Sequence, residues 1–234
     1  MPEASLEGAA EPGVRIERLS YSWPCGTKAL DHCSLHLPGP GLWMLVGSNG
    51  SGKSTLFRLV SGLLKPQQGR ISHTLRPALV FQNPDHQLLL PSCGSELLLN
   101  LPPACPTDQR PSRINEALEQ VGMAGMASRP IHTLSGGQKQ RLAIAGALAS
   151  GASLLLLDEP TALLDPASQK AILSTVQRLC HRSQSPLTAL WVTHRLEELD
   201  SADAAARMEN GRIGPWESGR QLRQRLQPLA RRQG

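Results

Sequence analysis

Residues 42–55 read Leu42-Trp43-Met44-Leu45-Val46-Gly47-Ser48-Asn49-Gly50-Ser51-Gly52-Lys53-Ser54-Thr55, an apolar run that breaks into a glycine-rich loop and closes on Lys-Ser-Thr. The apolar run predicts a buried strand. Gly47, Gly50 and Gly52 permit positive φ and let backbone N–H groups turn inward around an anion with no Cβ in the way. Lys53 supplies a point charge suited to β- and γ-phosphates, and the Ser54 hydroxyl suits Mg²⁺. Leu56, Leu59, Val60 and Leu63 recur at helical spacing, so a helix is expected over 53–64, its positive end aimed at the same anion. A plain surface loop would need none of this agreement between strand, glycine spacing, Lys-Ser pair and helix.

The chain has 234 residues, enough for one large α/β domain or a core with an inserted subdomain. Hydrophobic residues make up 40% and aromatics only 3%, so packing must rest on Leu, Ala, Val and Ile. The net charge of +5 is concentrated at one end: from Arg207 onward seven arginines face only Glu209 and Glu217, and the first 206 residues are close to neutral. That distribution argues against a basic groove, and no nucleic-acid partner is expected. Leu222, Leu226 and Leu229 stand at helical spacing in this tail, which could dock on a partner or an anionic membrane surface. A solvated, partly frayed terminus is the simpler expectation.

Cys25, Cys33, Cys93, Cys105 and Cys180 are odd in number with no C-x-x-C pair, and read as free thiols of a reducing compartment rather than zinc ligands. Residues 1–13 are small and polar without an apolar core, so they are expected to be a flexible leader and not a secretory signal. Leu154–Leu157 is far too short to cross a bilayer.

Along the chain, 14–37 alternates polar and apolar residues around a Trp23-Pro24-Cys25-Gly26 turn, which predicts antiparallel strands. A strand over 78–81 ends at Gln82. Residues 83–111 then carry six prolines and leucine clusters, 112–121 predicts a helix with Ser112 as N-cap, and another helix follows Ser135-Gly136-Gly137 through Ala149. No strand-like run interrupts 84–149, which reads as a mainly helical insertion. Strands are expected at 154–157, ending at Asp158, and at 188–193, ending at His194. Between them lies a helix over 167–181, and a short helix at 196–199 and a hairpin near 206–213 complete the pattern.

In open parallel sheets ligand chemistry collects beyond the carboxyl ends of the strands. Four predicted strand ends deliver Gly47–Thr55, Gln82, Asp158-Glu159 and His194, all residue types that phosphoryl transfer uses. Asp158 suits Mg²⁺, directly or through water. Glu159 can orient and deprotonate a water for in-line attack, Gln82 can join the metal or the water, and His194 can donate to the γ-phosphate. Ser135-Gly136-Gly137-Gln138 opens a helix as a second anion-binding loop, but has no Lys-Ser pair to hold a metal. It suggests half of a composite site, in which one copy supplies the phosphate loop and a second copy caps the γ-phosphate.

With these residues in hand the chain, over about 14–215, resembles the ATPase subunits of ATP-binding-cassette (ABC) transporters. Gly47–Thr55 is similar to their Walker A loop, Gln82 to the Q-loop glutamine, and Leu134–Gln138 to the signature motif. Leu154–Asp158 is similar to Walker B with Glu159 as its catalytic base, Thr161–Asp165 to the D-loop, and His194 to the switch histidine. Tyr21, the chain's one tyrosine, matches the aromatic that stacks on adenine, with a buried strand aromatic as the alternative.

Phe81–Gln87 and the stretches 129–141 and 145–149 are similar to the energy-coupling factor branch, whose members import vitamins or cobalt and nickel ions. After Gln87 that branch has an acidic and aromatic stretch, where this chain has Leu88-Leu89-Leu90-Pro91-Ser92-Cys93-Gly94-Ser95-Glu96-Leu97, in the region expected to grip the membrane partner.

The resemblance implies an α/β P-loop NTPase fold of the ABC type. It would have a mixed sheet core, an N-terminal antiparallel β subdomain and an inserted helical subdomain at about 84–149, followed by a basic tail over 216–234. It implies ATP and Mg²⁺ as ligands, and ATP hydrolysis coupled to transport. A second ATPase subunit, identical or a paralogue, and separate transmembrane subunits are the implied partners, at the cytoplasmic face of the membrane. A soluble ABC ATPase acting on nucleic acid or ribosomes is the alternative.

Overall fold

The computed structural model describes residues 13–230, excepting the side chains of 228–230; the leader over 1–12 and the Leu229 side chain lie outside the described residues. β1 (Val14–Ser22) and β2 (Lys28–Leu37) pair antiparallel around a 23–27 turn closed by the Trp23 N–H on the Thr27 carbonyl at 2.9 Å. β3 (Gly41–Val46) feeds the glycine loop and α1 (Lys53–Val60). β4 (Gln68–His73) then returns to the free edge of β1, giving a three-stranded antiparallel sheet ordered β2-β1-β4. Sequence patterning misses β4 because it is an edge strand with no buried residue, and Ile71 is its one large apolar side chain.

The second sheet is built from β5 (Pro77–Val80), β6 (Leu154–Asp158), β7 (Thr188–Thr193), β8 (Ala204–Glu209) and β9 (Arg212–Ile213) together with β3, in the order β5-β6-β7-β3-β8-β9. All its pairings are parallel except β8 with β9. β8 is therefore a full member of the core sheet as well as one arm of the expected hairpin.

The two faces of the core sheet bury different partners, and the two-residue period of a strand divides its side chains between them. Leu155, Leu157, Ala189 and Trp191 face one apolar cluster. Leu154, Leu156, Leu190 and Val192 face another, shared with the antiparallel sheet and α1. Strands buried on both faces read as continuous apolar runs, which is why 154–157 is four leucines.

Between β5 and β6 lie α2 (Cys93–Asn100), α3 (Arg110–Gln120) and α4 (Gly136–Ala149). The insertion is helical as expected, and its Leu97, Leu118 and Leu142 join the same cluster as Leu155 and Trp191. α2 is not foreseen among the prolines; its start is fixed by a capping box between Ser92 and Ser95. α3 begins two residues before the expected Ser112 cap. Pro111 sits in its first turn, where a fixed φ is suitable and no backbone N–H is needed.

α5 (Pro166–Cys180) is capped by Asp165, whose Oδ1 accepts from the Ala167 and Ser168 amides at 3.0 Å each. The expected short helix after His194 is a 3₁₀ segment, Leu196–Ser201. Over the described residues, α6 (Gly219–Ala230) replaces the expected frayed tail. Leu222 and Leu226 are buried in the domain's own core, where hiding them from water outweighs the freedom of a loose end. Arg225 pairs with Glu217 at 2.5 Å and Arg223 with Asp200, so part of the tail's charge is matched within the fold.

His181, the C-cap of α5, bonds the Gln177 carbonyl through Nδ1 at 2.8 Å and Asp203 Oδ1 through Nε2 at 3.0 Å. Both partners only accept, so the doubly protonated ring satisfies both; the Gln177 bond and then Asp203 raise its pKa above the ordinary value of 6.5. A raised histidine pKa contributes stability that is complete below the unfolded value and fades as pH rises through the folded one. Thermal melting from about pH 6 to about pH 8 should therefore show a fall that His181→Gln removes. Parallel curves for parent and variant would contradict this assignment.

Candidate active site

Because β5, β6, β7 and β3 are parallel and adjacent, their carboxyl ends fall along one edge of the sheet. Gln82 follows β5, Asp158 ends β6 with Glu159 next, His194 follows β7, and Gly47 follows β3. A cleft of about 370 Å³ lies against this edge, lined by Asn49, Gly50, Gly52–Thr55 and Glu159 on one side and by Trp23 and Thr27–Ala29 on the other.

The loop is shaped by close approach as much as by turning. Gly52, the N-cap of α1, has φ 107°, and a Cβ there would lie 2.4 Å from the Ala29 carbonyl oxygen. Gly50 also has positive φ, but Gly47 does not. Gly47 is required because a Cβ would meet the Met208 carbonyl at 2.3 Å. The hairpin turn behind the loop braces it through the Gly211 N–H on the Ser51 carbonyl at 3.1 Å.

Lys53 is only 6% exposed and donates to the Gly47 and Ser48 carbonyls at 2.8 and 2.9 Å, so its ammonium is held inside the loop. Burial lowers its pKa, opposed by Glu159 and Asp158. Burial likewise raises the pKa of Asp158, opposed by a hydrogen bond from Ser54. A polyphosphate beside Lys53 and a hard dication beside the oxygens of Ser54 and Asp158 would each offset these desolvation costs, so the residues present fit both groups.

Glu159 has φ 48°, left-handed backbone that costs a non-glycine residue about 1–3 kcal/mol. Its carboxylate is where the strand ends converge. His194 Nδ1 lies 3.0 Å from Glu159 Oε2, and Gln82 Nε2 donates to the same oxygen at 3.5 Å, the limit of a hydrogen bond.

Two sequence-predicted site elements stand apart from this convergence. Tyr21 is half-buried, packed on the cluster under the antiparallel sheet with its ring edge-on to Trp23 at 5.4 Å. Trp23, not Tyr21, lines the cleft, with the Arg58 guanidinium 5.7 Å from its ring centre. Sequence patterning favours the strand aromatic over the turn aromatic two residues on; the Trp23-Pro24-Cys25-Gly26 turn is the signal that points to Trp23.

Ser135–Gln138 is also not part of this cleft lining. Ser135 caps α4 in a reciprocal box, its Oγ accepting from the Gln138 amide at 3.3 Å while Gln138 Oε1 accepts from the Ser135 amide at 3.0 Å. A Cβ on Gly137 would lie 2.6 Å from Ser168 Oγ, so this loop is seated against the start of α5.

A glycine loop between a parallel strand and a helix, with strand-end carboxylates beside it, defines a P-loop nucleoside triphosphatase. The family model described as ABC transporter matches residues 30–162. The chain is 47% identical over 186 residues to ABC transporter I family member 10 of Arabidopsis thaliana, covering 79% of this chain and 69% of that one. It is 39% identical over 207 residues to the energy-coupling factor transporter ATP-binding protein EcfA1 of Bacillus licheniformis, covering 82% and 73%. Among solved structures, cbiO1 from Clostridium perfringens, part of the ABC transporter complex cbiONQ, superposes with a TM-score of 0.81 at 29% identity over 93% of each chain. The chain belongs to the ABC transporter family, as an ATPase with the fold of its energy-coupling factor and cbiO-type members.

Gly52→Ala should lower stability by at least about 1–3 kcal/mol in denaturant unfolding, from strained φ and overlap with Ala29. An unchanged midpoint would show that the loop is looser than its contacts imply.

Proposed function

We propose that this chain is the energy-supplying subunit of an importer of a small solute, a vitamin or a transition-metal ion. It would work as a dimer around two ATP molecules with Mg²⁺ and act on separate transmembrane subunits at the cytoplasmic face. The observation that carries the catalytic reading is the meeting of Gln82, Glu159 and His194 at one carboxylate beside the Lys53 loop. The energy-coupling factor and cbiO relatives support the transporter reading over an ATPase acting on nucleic acid or ribosomes.

In this reading Trp23 is the platform for the adenine ring, with the Arg58 guanidinium adding a cation–π contact to the same indole. The amides of 47–55 and the Lys53 ammonium hold the phosphates, while Ser54, Asp158 and Gln82 would hold Mg²⁺, which would supply charge neutralisation at the phosphate oxygens. Both observed bonds to Glu159 fall on Oε2, which leaves Oε1 to take the proton of a water attacking the γ-phosphorus. His194 keeps that carboxylate oriented and offers its other ring nitrogen to the departing phosphate.

Ser135, Gly136, Gly137 and Gln138 then serve the partner's nucleotide, as a helix N-terminus whose rigid seat on α5 gives it a fixed approach. Loss of the γ-phosphate removes those contacts and opens the dimer.

Among the described residues no helix is long and apolar enough to cross a membrane. The face offered to a membrane partner is the leucine stretch after Gln87. Leu89 is 73% exposed and Leu98 and Leu99 of α2 are exposed as well, while buried Glu96 accepts from the Leu89 and Leu90 amides at 2.9 Å each and sets the shape of that loop.

Steady-state hydrolysis and nucleotide binding test the assignment together. Lys53→Ala should lose both, whereas Glu159→Gln should bind ATP at parental affinity and lose turnover about a hundredfold or more. Parental turnover in Glu159→Gln would remove Glu159 as the base. Trp23→Ala should weaken ATP binding about fivefold to tenfold, with little effect from Tyr21→Phe. The reverse order of effects would return the adenine platform to Tyr21.

A further inference from the structure

We propose that Glu198 is a positioning residue for hydrolysis, a buried carboxylate that fixes the backbone on both sides of the Glu159–His194 hydrogen bond. This deepens the assignment of Glu159 as base and rests on it. Glu198 is 5% exposed and lies in the 3₁₀ segment after β7, four residues past His194. Its Oε1 accepts from the Thr161 hydroxyl at 2.5 Å and its Oε2 from the Trp191 indole N–H at 3.1 Å, with Arg195 Nε 3.7 Å from Oε1.

Those partners bracket the chemistry. Thr161 is two residues after Glu159, Trp191 is three before His194, and Arg195 is the residue after His194. Thr161 and Trp191 are essentially fully buried, and neither they nor Glu198 lines the nucleotide cleft. The link between Thr161 and Glu198 therefore acts through backbone position and not through contact with substrate.

The need for such an anchor follows from the Glu159 backbone. A left-handed, non-glycine residue persists only where its surroundings over-determine it. The Glu159 amide donates to the Val192 carbonyl at 3.0 Å and its own carbonyl accepts from the Ala162 amide at 3.1 Å. Residues 162 and 192 are the neighbours of Thr161 and Trp191. Glu198 is thus a buried group bonded to both segments that hold the strained base in place. A buried carboxylate is costly unless each oxygen has a donor, so removal of the Thr161 hydroxyl strikes the anchor directly.

The test compares parent, Thr161→Val, Thr161→Ser, Glu198→Gln, the Thr161→Val/Glu198→Gln double variant and Glu159→Gln. Readouts are ATP hydrolysis, affinity for a non-hydrolysable ATP analogue, and melting temperature. Thr161→Val should lower kcat about tenfold or more with KM and analogue affinity within about twofold, Thr161→Ser should restore it, and the double variant should lose no more than the worse single one. Parental kcat in Thr161→Val beside an inactive Glu159→Gln would overturn the role of Glu198 alone. A fall of kcat, analogue affinity and melting temperature in step would overturn it in favour of a merely structural role. Parental turnover in Glu159→Gln would reject the base reading beneath it.

Discussion

Parallel pairing of β5, β6, β7 and β3 is the constraint on which the rest of the molecule depends. Register runs without a break from Pro77 opposite Leu154, through Leu154 opposite Thr188, to Gly41 opposite Thr188, so four strands end together. The pairing is maintained by apolar side chains on both faces, and the polar residues Gln82, Asp158, Glu159 and His194 stand at or just past the strand ends, where burial falls away. A one-residue slip in any of these strands would turn its apolar side chains to the wrong face and move its terminal polar residue out of line. Stability and catalytic geometry are therefore set by the same leucines.

Strong local patterns make most of this readable in the sequence. A glycine loop with Lys-Ser, four-residue apolar runs and single polar residues behind them fit few folds, and the structure brings Gln82, Glu159 and His194 together as their strand ends predict. What escapes the sequence depends on partners far along the chain. β4 is an edge strand with no apolar face to betray it. α6 looks like a charged tail until Leu222 and Leu226 find a core that only the folded domain supplies. Trp23 and Tyr21 are equally aromatic, and only the turn that follows β1 decides which of them faces the cleft. Glu198 and Thr161 are separated by 37 positions, and neither carries a motif that connects them.

The two glycine loops differ in how they are held. Gly47–Thr55 is braced from behind by the Asn210-Gly211 turn and closes on its own lysine, whereas Ser135–Gln138 closes on itself through a capping box and rests on α5. The second loop is thus a preformed helix start without a cation of its own. Its physical continuity with Ser168, Asp165 and the 161–165 turn leads directly to Thr161 and to Glu159, the proposed base. A γ-phosphate gripped by this loop in a partner's site would bear on the same rigid piece that positions Glu159 in its own.

The claim that each site is shared between two chains is tested most directly by mixing two inactive variants, Lys53→Ala and Ser135→Arg, and measuring ATP hydrolysis. Random pairing puts one intact loop opposite one intact cap in half the dimers, so a composite site predicts recovery to about a quarter of the parental rate. A mixture as inactive as either variant alone would contradict the shared site.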